Sequence, residues 1–296
     1  MFRVVGIGEV LWDLLPDGAQ LGGAPANFAV HAHALGAASG IVSRIGDDDP
    51  GREIITRLSG LGLQTDGIQV DPMHLTGTVA VSVDAAGQPQ FTIASDAAWD
   101  HIAIVDQARR LVSAADAVCF GTLAQRDAVS RQSIQALMRA VPQHALRVFD
   151  INLRQAYYSR AIIEESLSLA SVLKVNDAEL PVLASMFLLE GGQRAQMAQL
   201  ADRWQLRAVV CTRGAAGSLL CVGGEWSEHP GIPTVVSDTV GAGDSFTAAM
   251  TLGLLAGWAL DDVSDRANRL ASFVAAQSGA TPAPPASLRA LFASAT

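Results

Sequence analysis

Apolar residues recur along this chain in two patterns that alternate from about residue 35 onward. Runs of roughly four to eight apolar residues, typical of buried strands, alternate with stretches whose apolar positions have helical spacing. The predicted strands are Ala38–Ile45, Ala117–Gly121, Arg147–Asp150, Val172–Asn176, Ala208–Thr212 and Ser218–Val222. The predicted helices are Asp49–Leu61, Arg131–Ala140, Ala195–Trp204, Asp244–Leu255 and Asp262–Gln277. This order predicts an α/β fold with a mostly parallel sheet flanked by helices.

Two segments interrupt this order with the alternation of polar and apolar residues that strands with one solvated face show. They are Val10–Leu21 and Gly77–Ile93, and the second contains a predicted turn at Asp84–Gly87. We interpret both as parts of a small β-sheet lid, formed by about residues 10–22 and 75–98. The lid would lie over the main domain, so residues 1–296 are predicted to form one domain.

The composition narrows the class of protein. Half of the 296 residues are hydrophobic, 17% are charged, and the formal net charge is −9. A chain this acidic, without a run of Lys or Arg, repels polyanions, so we expect no nucleic acid partner. The N-terminus has the pattern of a first strand, not of a signal peptide, and no apolar run approaches the roughly 18 residues of a membrane span. We therefore expect a cytoplasmic protein without a membrane partner, and three buried reduced cysteines, Cys119, Cys211 and Cys221.

The first candidate for chemistry is the turn of Gly241, Ala242 and Gly243, which is followed by Asp244 and a long predicted helix. The glycines permit a tight turn whose N–H groups join the positive end of the helix dipole. Such a place binds anions and suits a transferring phosphoryl group. Asp244 can accept the proton of an attacking hydroxyl group, although an aspartate that merely caps the helix explains these residues equally well.

A second candidate is the glycine pair Gly22 and Gly23, which precedes a predicted helix and lets the backbone approach a small ligand closely. Asn27 can both donate and accept hydrogen bonds, which suits a sugar hydroxyl group. A plain junction between a loop and a helix, with Pro25 in the first turn, is the alternative.

Two further motifs follow predicted strands. Asn176 and Glu179 have the spacing of a helix capping box, and Glu179 could instead hold water on a magnesium ion. Thr212, Gly214 and Gly217 lie in a glycine turn between two strands, which a simple hairpin also explains.

Several familiar motifs do not occur. The chain contains no G-x-x-x-x-G-K-[ST], which excludes a P-loop enzyme, and no G-x-S-x-G esterase motif. Leu11 replaces the third glycine of a dinucleotide-binding G-x-G-x-x-G that begins at Gly6, so an NAD enzyme is a weak alternative. The six histidines show no H-E-x-x-H or other metal-ligand spacing.

In this order and spacing, the motifs resemble the ribokinase-like (PfkB) family of carbohydrate kinases over nearly the whole chain, from Gly6 to Gly279. Gly22–Ala29 is similar to the N-terminal signature of the family, and Asp238–Met250 to the C-terminal one. The resemblance implies a single Rossmann-like kinase domain over residues 1–296 with a β-sheet lid. It also implies transfer of phosphate from ATP, with Mg²⁺, to a small-molecule sugar.

The resemblance further implies a role for each matched residue. It implies Asp244 as the catalytic base and an anion hole formed by Gly241, Ala242 and Gly243. The residues implied to lie against the sugar are Asp13, Gly22, Gly23 and Asn27. Those implied to surround ATP and its magnesium are Asn176, Glu179, Thr212, Gly214, Gly217 and Asn268, with Glu179 acting on Mg²⁺ through water. Asp238, with the turn at Gly279, is the implied site of a monovalent cation such as K⁺.

Within the family, two segments are most similar to bacterial fructokinases. They add to the sugar-binding candidates Trp99, Asp100, Asp150, Asn152 and Arg154. The last three alternate at a strand end and could share one face, although Arg154 could also be a surface residue. We predict phosphorylation of a primary hydroxyl group, converting fructose to fructose 6-phosphate. The alternatives are 2-keto-3-deoxygluconate kinase, which uses an arginine near this place for a carboxylate, and ribokinase.

Two questions stay open at this level. A sugar-binding regulatory protein of the same fold, without turnover, is the alternative from a different class, and the intact Gly-Ala-Gly-Asp argues against it. An apolar lid face would allow a homodimer in which each lid covers the other. The alternation in Thr78–Val83 permits this homodimer without requiring it.

Overall fold

The computed structural model describes residues 1–15, 18–83 and 89–293. The strands in this part of the chain are β1 (Arg3–Ile7), β2 (Leu11–Leu15), β3 (Gly18–Gly22), β4 (Ala38–Gly46), β5 (Ile68–Asp71), β6 (Gly77–Val83), β7 (Pro89–Ile93), β8 (Ala117–Phe120), β9 (Leu146–Asp150), β10 (Val172–Asn176), β11 (Ala208–Thr212), β12 (Ser218–Val222) and β13 (Glu225–His229). The helices are α1 (Ala24–Ala34), α2 (Asp49–Gly60), α3 (Asp106–Ser113), α4 (Ala128–Ala140), α5 (Arg160–Leu169), α6 (Glu179–Phe187), α7 (Gln193–Trp204), α8 (Ala242–Leu255), α9 (Leu260–Ala275) and α10 (Ala286–Ala290).

The larger sheet has nine strands among the described residues, in the order β13-β12-β11-β10-β9-β8-β1-β4-β5. The strands from β11 to β5 in that order are parallel, and β12 and β13 complete one edge as antiparallel strands. The chain adds β4 and β5 on one side of β1 and β8 to β11 on the other, so the strand order reverses between β1 and β8. Ligands of open α/β sheets bind at the carboxyl ends of the strands beside such a reversal.

Helices cover both faces of this sheet, as predicted. In β8, Val118 and Phe120 pack on the face that carries α3 to α7, while Ala117 and Cys119 pack on the face that carries α1, α8 and α9. Since both faces exclude water, apolar residues occupy successive positions instead of alternate ones. This burial explains why these strands are recognisable in the sequence as continuous apolar runs.

A smaller separate sheet has the order β3-β2-β6-β7. It consists of two antiparallel hairpins, β2–β3 and β6–β7, joined by parallel pairing of β2 with β6. The two segments predicted as hairpin pieces therefore form one sheet. The predicted turn at Asp84–Gly87 lies outside the described residues.

The structure shows several elements that the sequence pattern does not predict. The short β5 and β13 lie at the two edges of the larger sheet, where half-buried strands lack a continuous apolar run. The helix predicted at Asp262–Gln277 begins and ends two residues earlier, as α9.

All three cysteines are buried and unpaired. No helix in the described ranges combines the length and the apolar character of a membrane span.

Candidate active site

The polar residues singled out in the sequence meet where parallel strands end. Asp150, Asn176 and Thr212 are the last residues of β9, β10 and β11, which are neighbours in the larger sheet. The first turn of α8 lies against these strand ends, since a Cβ on Gly243 would stand 3.2 Å from the Nζ atom of Lys174 in β10. A helix N-terminus therefore meets the carboxyl edge of the sheet.

The turn before α8 requires glycine at position 241. Gly241 has φ 76°, in the left-handed region, and a Cβ there would overlap the carbonyl oxygen of Ala280. The amide of Ala242 donates to the carbonyl of Thr239 at 3.3 Å, and the amide of Ser245 makes the first helical hydrogen bond, to Gly241, at 2.9 Å. An anion that binds at the start of α8 must therefore compete with the carbonyl of Thr239 for the Ala242 amide, and the length of that hydrogen bond indicates that it is weak.

Asp244 lies in the first turn of α8 and contacts the first turn of α1. The Nδ2 atom of Asn27 donates to Oδ2 of Asp244 at 2.8 Å. Burial, aided by the nearby carboxylate of Asp150, raises the pKa of Asp244 to about 6, against the opposing effects of Asn27, Lys174 and Arg154. A carboxylate with this pKa is mostly ionised at neutral pH and remains a better proton acceptor than an ordinary aspartate.

Below this helix start lies a buried ion pair that the sequence analysis did not identify. Lys174, which is 5% exposed, donates to Oδ1 of Asp150 at 3.1 Å, and the Thr247 hydroxyl donates to Oδ2 at 2.7 Å. Burial opposes the charge on Lys174, but the carboxylates of Asp150, Glu179 and Asp244 overcome it and raise the lysine pKa. Each carboxylate oxygen of Asp150 thus has a protein partner, and Asp150 supports the site instead of presenting a free acceptor.

Glu9 is a second residue that the sequence analysis did not assign to the site. It follows β1 at the strand-order reversal, is 4% exposed, and has a buried Oε2 atom without a hydrogen-bond partner. Burial raises its pKa to about 7, partly offset by backbone amides, and the charge of Asp244 adds to the increase. The Oδ1 atom of Asn27 is also buried and unpartnered. The hydroxyl groups of a polyhydroxyl ligand would donate hydrogen bonds to these two acceptors.

Asp13 in β2 is another residue that the resemblance assigned to the sugar. Burial raises the pKa of Asp13 to about 6, while Arg154 opposes this increase and Asp238 adds to it. Arg154 is exposed to solvent, yet its charge acts on Asp13, Glu9 and Asp244. Its guanidinium group therefore lies close enough to this cluster of acids to lower the pKa of all three.

The backbone near these acids is constrained. Gly22 has no room for a side chain beside the Asp13 carboxylate, and Gly23 has φ 109° and lies against the carbonyl of Glu9. Asn152 adopts φ 42°, which is uncommon for a residue other than glycine and places it in the turn that leads from β9 to Arg154.

Trp99 and Asp100 occupy a different place from the other sugar-side candidates. Trp99 is completely buried, and Asp100 is held by Arg126 through bonds of 2.8 and 2.6 Å to its two oxygens. The Arg126 guanidinium also lies over the rings of Trp99 and Tyr157, at 4.0 and 4.8 Å. In this arrangement both oxygens of Asp100 are held within the protein, where they stabilise the 3₁₀ turn after β7, while Nε1 of Trp99 is buried without a hydrogen-bond partner.

Asn176 and Glu179 are residues that the resemblance assigned to ATP and its magnesium. In the structure they form a helix capping box, which was the other interpretation of their spacing. The Asn176 Oδ1 atom accepts from the Glu179 amide at 2.8 Å, and Glu179 Oε2 accepts from the Asn176 amide at 2.8 Å. Glu179 Oε1 accepts from the Leu153 amide at 2.9 Å. Burial raises the pKa of Glu179, and the neighbouring Lys174 opposes that increase.

The turn after β11 is a hairpin with a short 3₁₀ segment at Gly214–Ala216. Gly217 has φ 77°, and a Cβ there would overlap the carbonyl oxygen of His229. The hydroxyl of Thr212 points back to the carbonyl of Val175 at 3.4 Å. Asn268 on α9 is buried behind this hairpin, where it donates to Ser218 at 2.8 Å.

Asp238 links the segment before α8 to the loop after α9. Its Oδ1 atom accepts from the Val240 amide at 3.0 Å, and its Oδ2 atom accepts from the Gly279 amide at 3.2 Å. The structure thus brings Asp238 and the Gly279 turn together, as the resemblance implied.

Comparisons with known proteins agree with this architecture. A family model described as pfkB family carbohydrate kinase matches residues 18–287. A fructokinase from Klebsiella pneumoniae is 31% identical over 276 residues, which cover 90% of this chain and 87% of that protein. A sugar kinase from Pyrococcus horikoshii has 28% identity and a TM-score of 0.83, over 98% of this chain and 100% of its own. A fructokinase from Vibrio cholerae, solved with fructose, ADP and calcium ion, has 26% identity and a TM-score of 0.82 over 99% of both chains.

The family match spans most of the sequence, and the mostly parallel sheet with helices on both faces is the ribokinase-like fold that the motifs implied. The predicted resemblance to bacterial fructokinases is confirmed by the curated relatives. This chain belongs to the pfkB family of carbohydrate kinases.

Proposed function

We propose that this sugar kinase transfers the γ-phosphoryl group of ATP to a primary hydroxyl group of fructose, forming fructose 6-phosphate. Asp244 takes the proton of that hydroxyl as its oxygen attacks the phosphorus. The backbone amides at Gly241, Ala242 and Gly243 stabilise the charge on the transferring phosphoryl oxygens, because they lie at the start of α8.

The observation that carries this proposal is the contact between Asn27 and Asp244 at 2.8 Å. It brings the junction after Gly22 and Gly23, which the sequence associates with sugar, against the anion-binding start of α8. Asp244 is thereby held beside both parts of the site, and its pKa of about 6 suits a base at neutral pH.

Fructose is favoured by the chemistry around Asp244. Two unpartnered acceptors, Glu9 Oε2 and Asn27 Oδ1, suit neutral hydroxyl donors. A sugar acid would bring a carboxylate toward Glu9, Asp13 and Asp244. Of the two cations that act on these acids, Lys174 is already paired with Asp150, so the exposed Arg154 would have to compensate that charge. Relatives named fructokinase support the same choice, as does the Vibrio cholerae fructokinase solved with fructose.

Asn152 and Arg154 complete the proposed sugar side, and Asp150 supports it from below through its bonds with Lys174 and Thr247. The nucleotide side is proposed around Thr212, Gly214 and Gly217 with the other residues that the family resemblance assigned to ATP. Relatives solved with ATP support a nucleotide site of this kind. The smaller sheet would serve as a lid that excludes water from the phosphoryl group and so limits ATP hydrolysis.

Magnesium, when bound with ATP, would neutralise charge on the phosphate oxygens. Glu179 would contact this magnesium through a water molecule and not directly, because both of its carboxylate oxygens already accept hydrogen bonds from backbone amides. A monovalent cation beside Asp238 and the Gly279 turn would share the Asp238 carboxylate with the amides of Val240 and Gly279, which its two oxygens accept. One of the related fructokinase structures contains a potassium ion.

A coupled ADP assay with a sugar panel tests the proposal. We expect fructose to give a higher kcat/KM than 2-keto-3-deoxygluconate, ribose, tagatose or adenosine. The variant Asp244→Asn should lose about 10²–10⁴-fold in kcat while fructose and ATP binding, measured by calorimetry, stay close to wild type. The exposed Asp202→Asn is the matched control and should keep wild-type kcat.

The outcomes separate the parts of the proposal. Near-normal kcat in Asp244→Asn would exclude this residue as the base. A higher kcat/KM for 2-keto-3-deoxygluconate than for fructose would replace the substrate and leave the assignment of the base intact.

A further inference from the structure

Two histidines and one aspartate form a cluster outside the candidate active site. His74, Asp96 and His101 each offer one ligand atom, and these three atoms lie within 4.8 Å of one another. The side chains of His74 and His101 are 27% and 23% exposed, and Asp96 is 74% exposed, so solvent reaches the cluster. Their spacing along the chain matches no familiar metal motif, and the fold alone brings them together.

The distances between these ligand atoms suit a tetrahedral ion. With metal–ligand bonds of about 2.0–2.1 Å, neighbouring ligand atoms of a tetrahedral zinc site stand about 3.3 Å apart. The Nε2 atom of His101 is 2.8 Å from Asp96 Oδ1, and the Nε2 atom of His74 is 3.7 Å from the same oxygen. The two distances lie on either side of the required value, so small side-chain rotations would reach it.

Asp71 fixes the tautomer of His74 that a metal ligand needs. The Nδ1 atom of His74 is 3.0 Å from Oδ2 of Asp71, and a carboxylate can only accept this bond, so Nδ1 carries the proton. A neutral His74 therefore has its lone pair on Nε2, the atom that faces Asp96. Asp71 is itself fixed, because its side chain is 1% exposed and pairs with Arg44 at 2.7 Å. A buried carboxylate behind a histidine is the usual support of a metal ligand.

Arg44 also anchors His101. Its Nη1 atom donates to the carbonyl of His101 at 3.0 Å, so the same arginine holds the backbone of one histidine and the supporting carboxylate of the other. The two imidazole rings are stacked, with centroids 3.6 Å apart and planes inclined by 16°. Binding an ion requires the rings to tilt so that both Nε2 lone pairs converge, and His101 must give up the proton that now bonds Asp96.

The cluster lies at the two connections that join the β6–β7 hairpin to the larger sheet. His74 is in the segment that leads from β5 of the larger sheet to β6 of the smaller one, and Asp96 and His101 follow β7 on the return. Asp96 has φ 53°, an uncommon conformation for an aspartate, which helps it to reach the histidines. An ion held by residues of both connections would link the base of the β6–β7 hairpin to the larger sheet.

We propose that His74, Asp96 and His101 bind one divalent transition-metal ion of the zinc class, with water as the fourth ligand. The nitrogen-rich ligand set favours Zn²⁺ over Mg²⁺ and Ca²⁺, which prefer oxygen ligands. This ion is distinct from the magnesium that accompanies ATP. Its expected role is structural, since it would restrict movement of the β6–β7 hairpin relative to the larger sheet.

Metal retention by the intact chain tests the proposal without any assay of turnover. Purified protein is dialysed against a zinc buffer and then analysed for bound metal. We expect about one Zn²⁺ per chain in the wild type and loss of that ion in His74→Ala and in His101→Ala. His144→Ala, which removes an exposed histidine elsewhere, should retain the ion. Asp71→Asn should bind zinc about 10–100-fold more weakly, because the supporting carboxylate is removed.

Cobalt provides a second measurement that reports geometry. Added Co²⁺ should give the intense visible bands of a four-coordinate site in the wild type and His144→Ala, and not in His74→Ala. The proposal is overturned if the wild type retains no more zinc than His74→Ala, or if bound Co²⁺ has only the weak spectrum of a six-coordinate ion. In the first case the cluster is a hydrogen-bonded His–Asp–His group alone, and in the second the cobalt is held in a different geometry from the one proposed.

Discussion

Neutralising Glu9 should make the protein more resistant to alkaline destabilisation. Burial raises the pKa of Glu9 from its ordinary value of 4.5 to about 7. A folded-state pKa above the unfolded value means that folding favours the protonated acid, so the stability from this group is present at low pH and lost as pH rises through about 7. The variant Glu9→Gln has no proton to lose and should lack this dependence.

The size of this stability change follows from the pKa shift of Glu9. A shift of about 2.5 units corresponds to about 3 kcal/mol at high pH, of which about 2–3 kcal/mol develops between about pH 5 and about pH 8. For a chain of this size, that change corresponds to about 5 °C in Tm. The charge of Asp244 contributes to the raised pKa of Glu9, and Glu9→Gln removes this repulsion between like charges.

Thermal unfolding of the ligand-free protein at several pH values provides the assay. The Tm of Glu9→Gln minus that of the wild type should increase by about 5 °C between about pH 5 and about pH 8. This increase is the prediction, and the difference in Tm at about pH 5 can have any value. Glu225→Gln, at an exposed position in β13, is the control and should show no such trend. A difference for Glu9→Gln that stays constant within about 1 °C would refute the reasoning, because Glu9 would then titrate normally.

Three further predictions follow from the site. If Asp244 is the base, kcat/KM for the sugar should fall about tenfold per pH unit below about pH 6, since protonation removes the acceptor; a flat acidic limb would contradict this role. Arg126→Met leaves Asp100 buried without its ion pair and should cost about 3–5 kcal/mol, seen as a lower Tm; a Tm within about 2 °C of wild type would show that the pair is dispensable. Gly217→Ala should raise the KM for ATP or destabilise the chain, because a methyl group overlaps the neighbouring strand, whereas Gly60→Ala, with open space around it, should behave like wild type in both assays.

The central strands could be predicted from the sequence because both of their faces are buried. Val172–Asn176 and Ala208–Thr212 are found with the predicted bounds. The edge strand Glu225–His229 was not predicted, since three of its five residues are charged or titratable and half-exposed positions break the apolar run. Its place depends on pairing with β12, which is a tertiary contact that no local pattern records.

The site was less predictable, because partners distant in the chain decide what a polar residue does. Asp150 and Asp100 have the residue type that binds sugar hydroxyl groups, but Lys174 and Arg126 occupy their oxygens. Glu9 was given no role from the sequence, and its burial without a partner for Oε2 is what draws attention to it. A lysine within the apolar run Val172–Asn176 was the one local signal that a buried acid lies nearby.

The bond between Asn27 and Asp244 also affects when the protein becomes active during its synthesis. The two residues are 217 positions apart, and each lies at the beginning of its helix. Domains emerge from the ribosome starting with the N-terminus, so the first helix is complete long before its partner helix exists. The nascent chain can form most of its parallel sheet while the proposed base is still missing. Phosphoryl transfer therefore begins only when the segment from α8 onward has docked, which makes recovered activity a marker of complete folding.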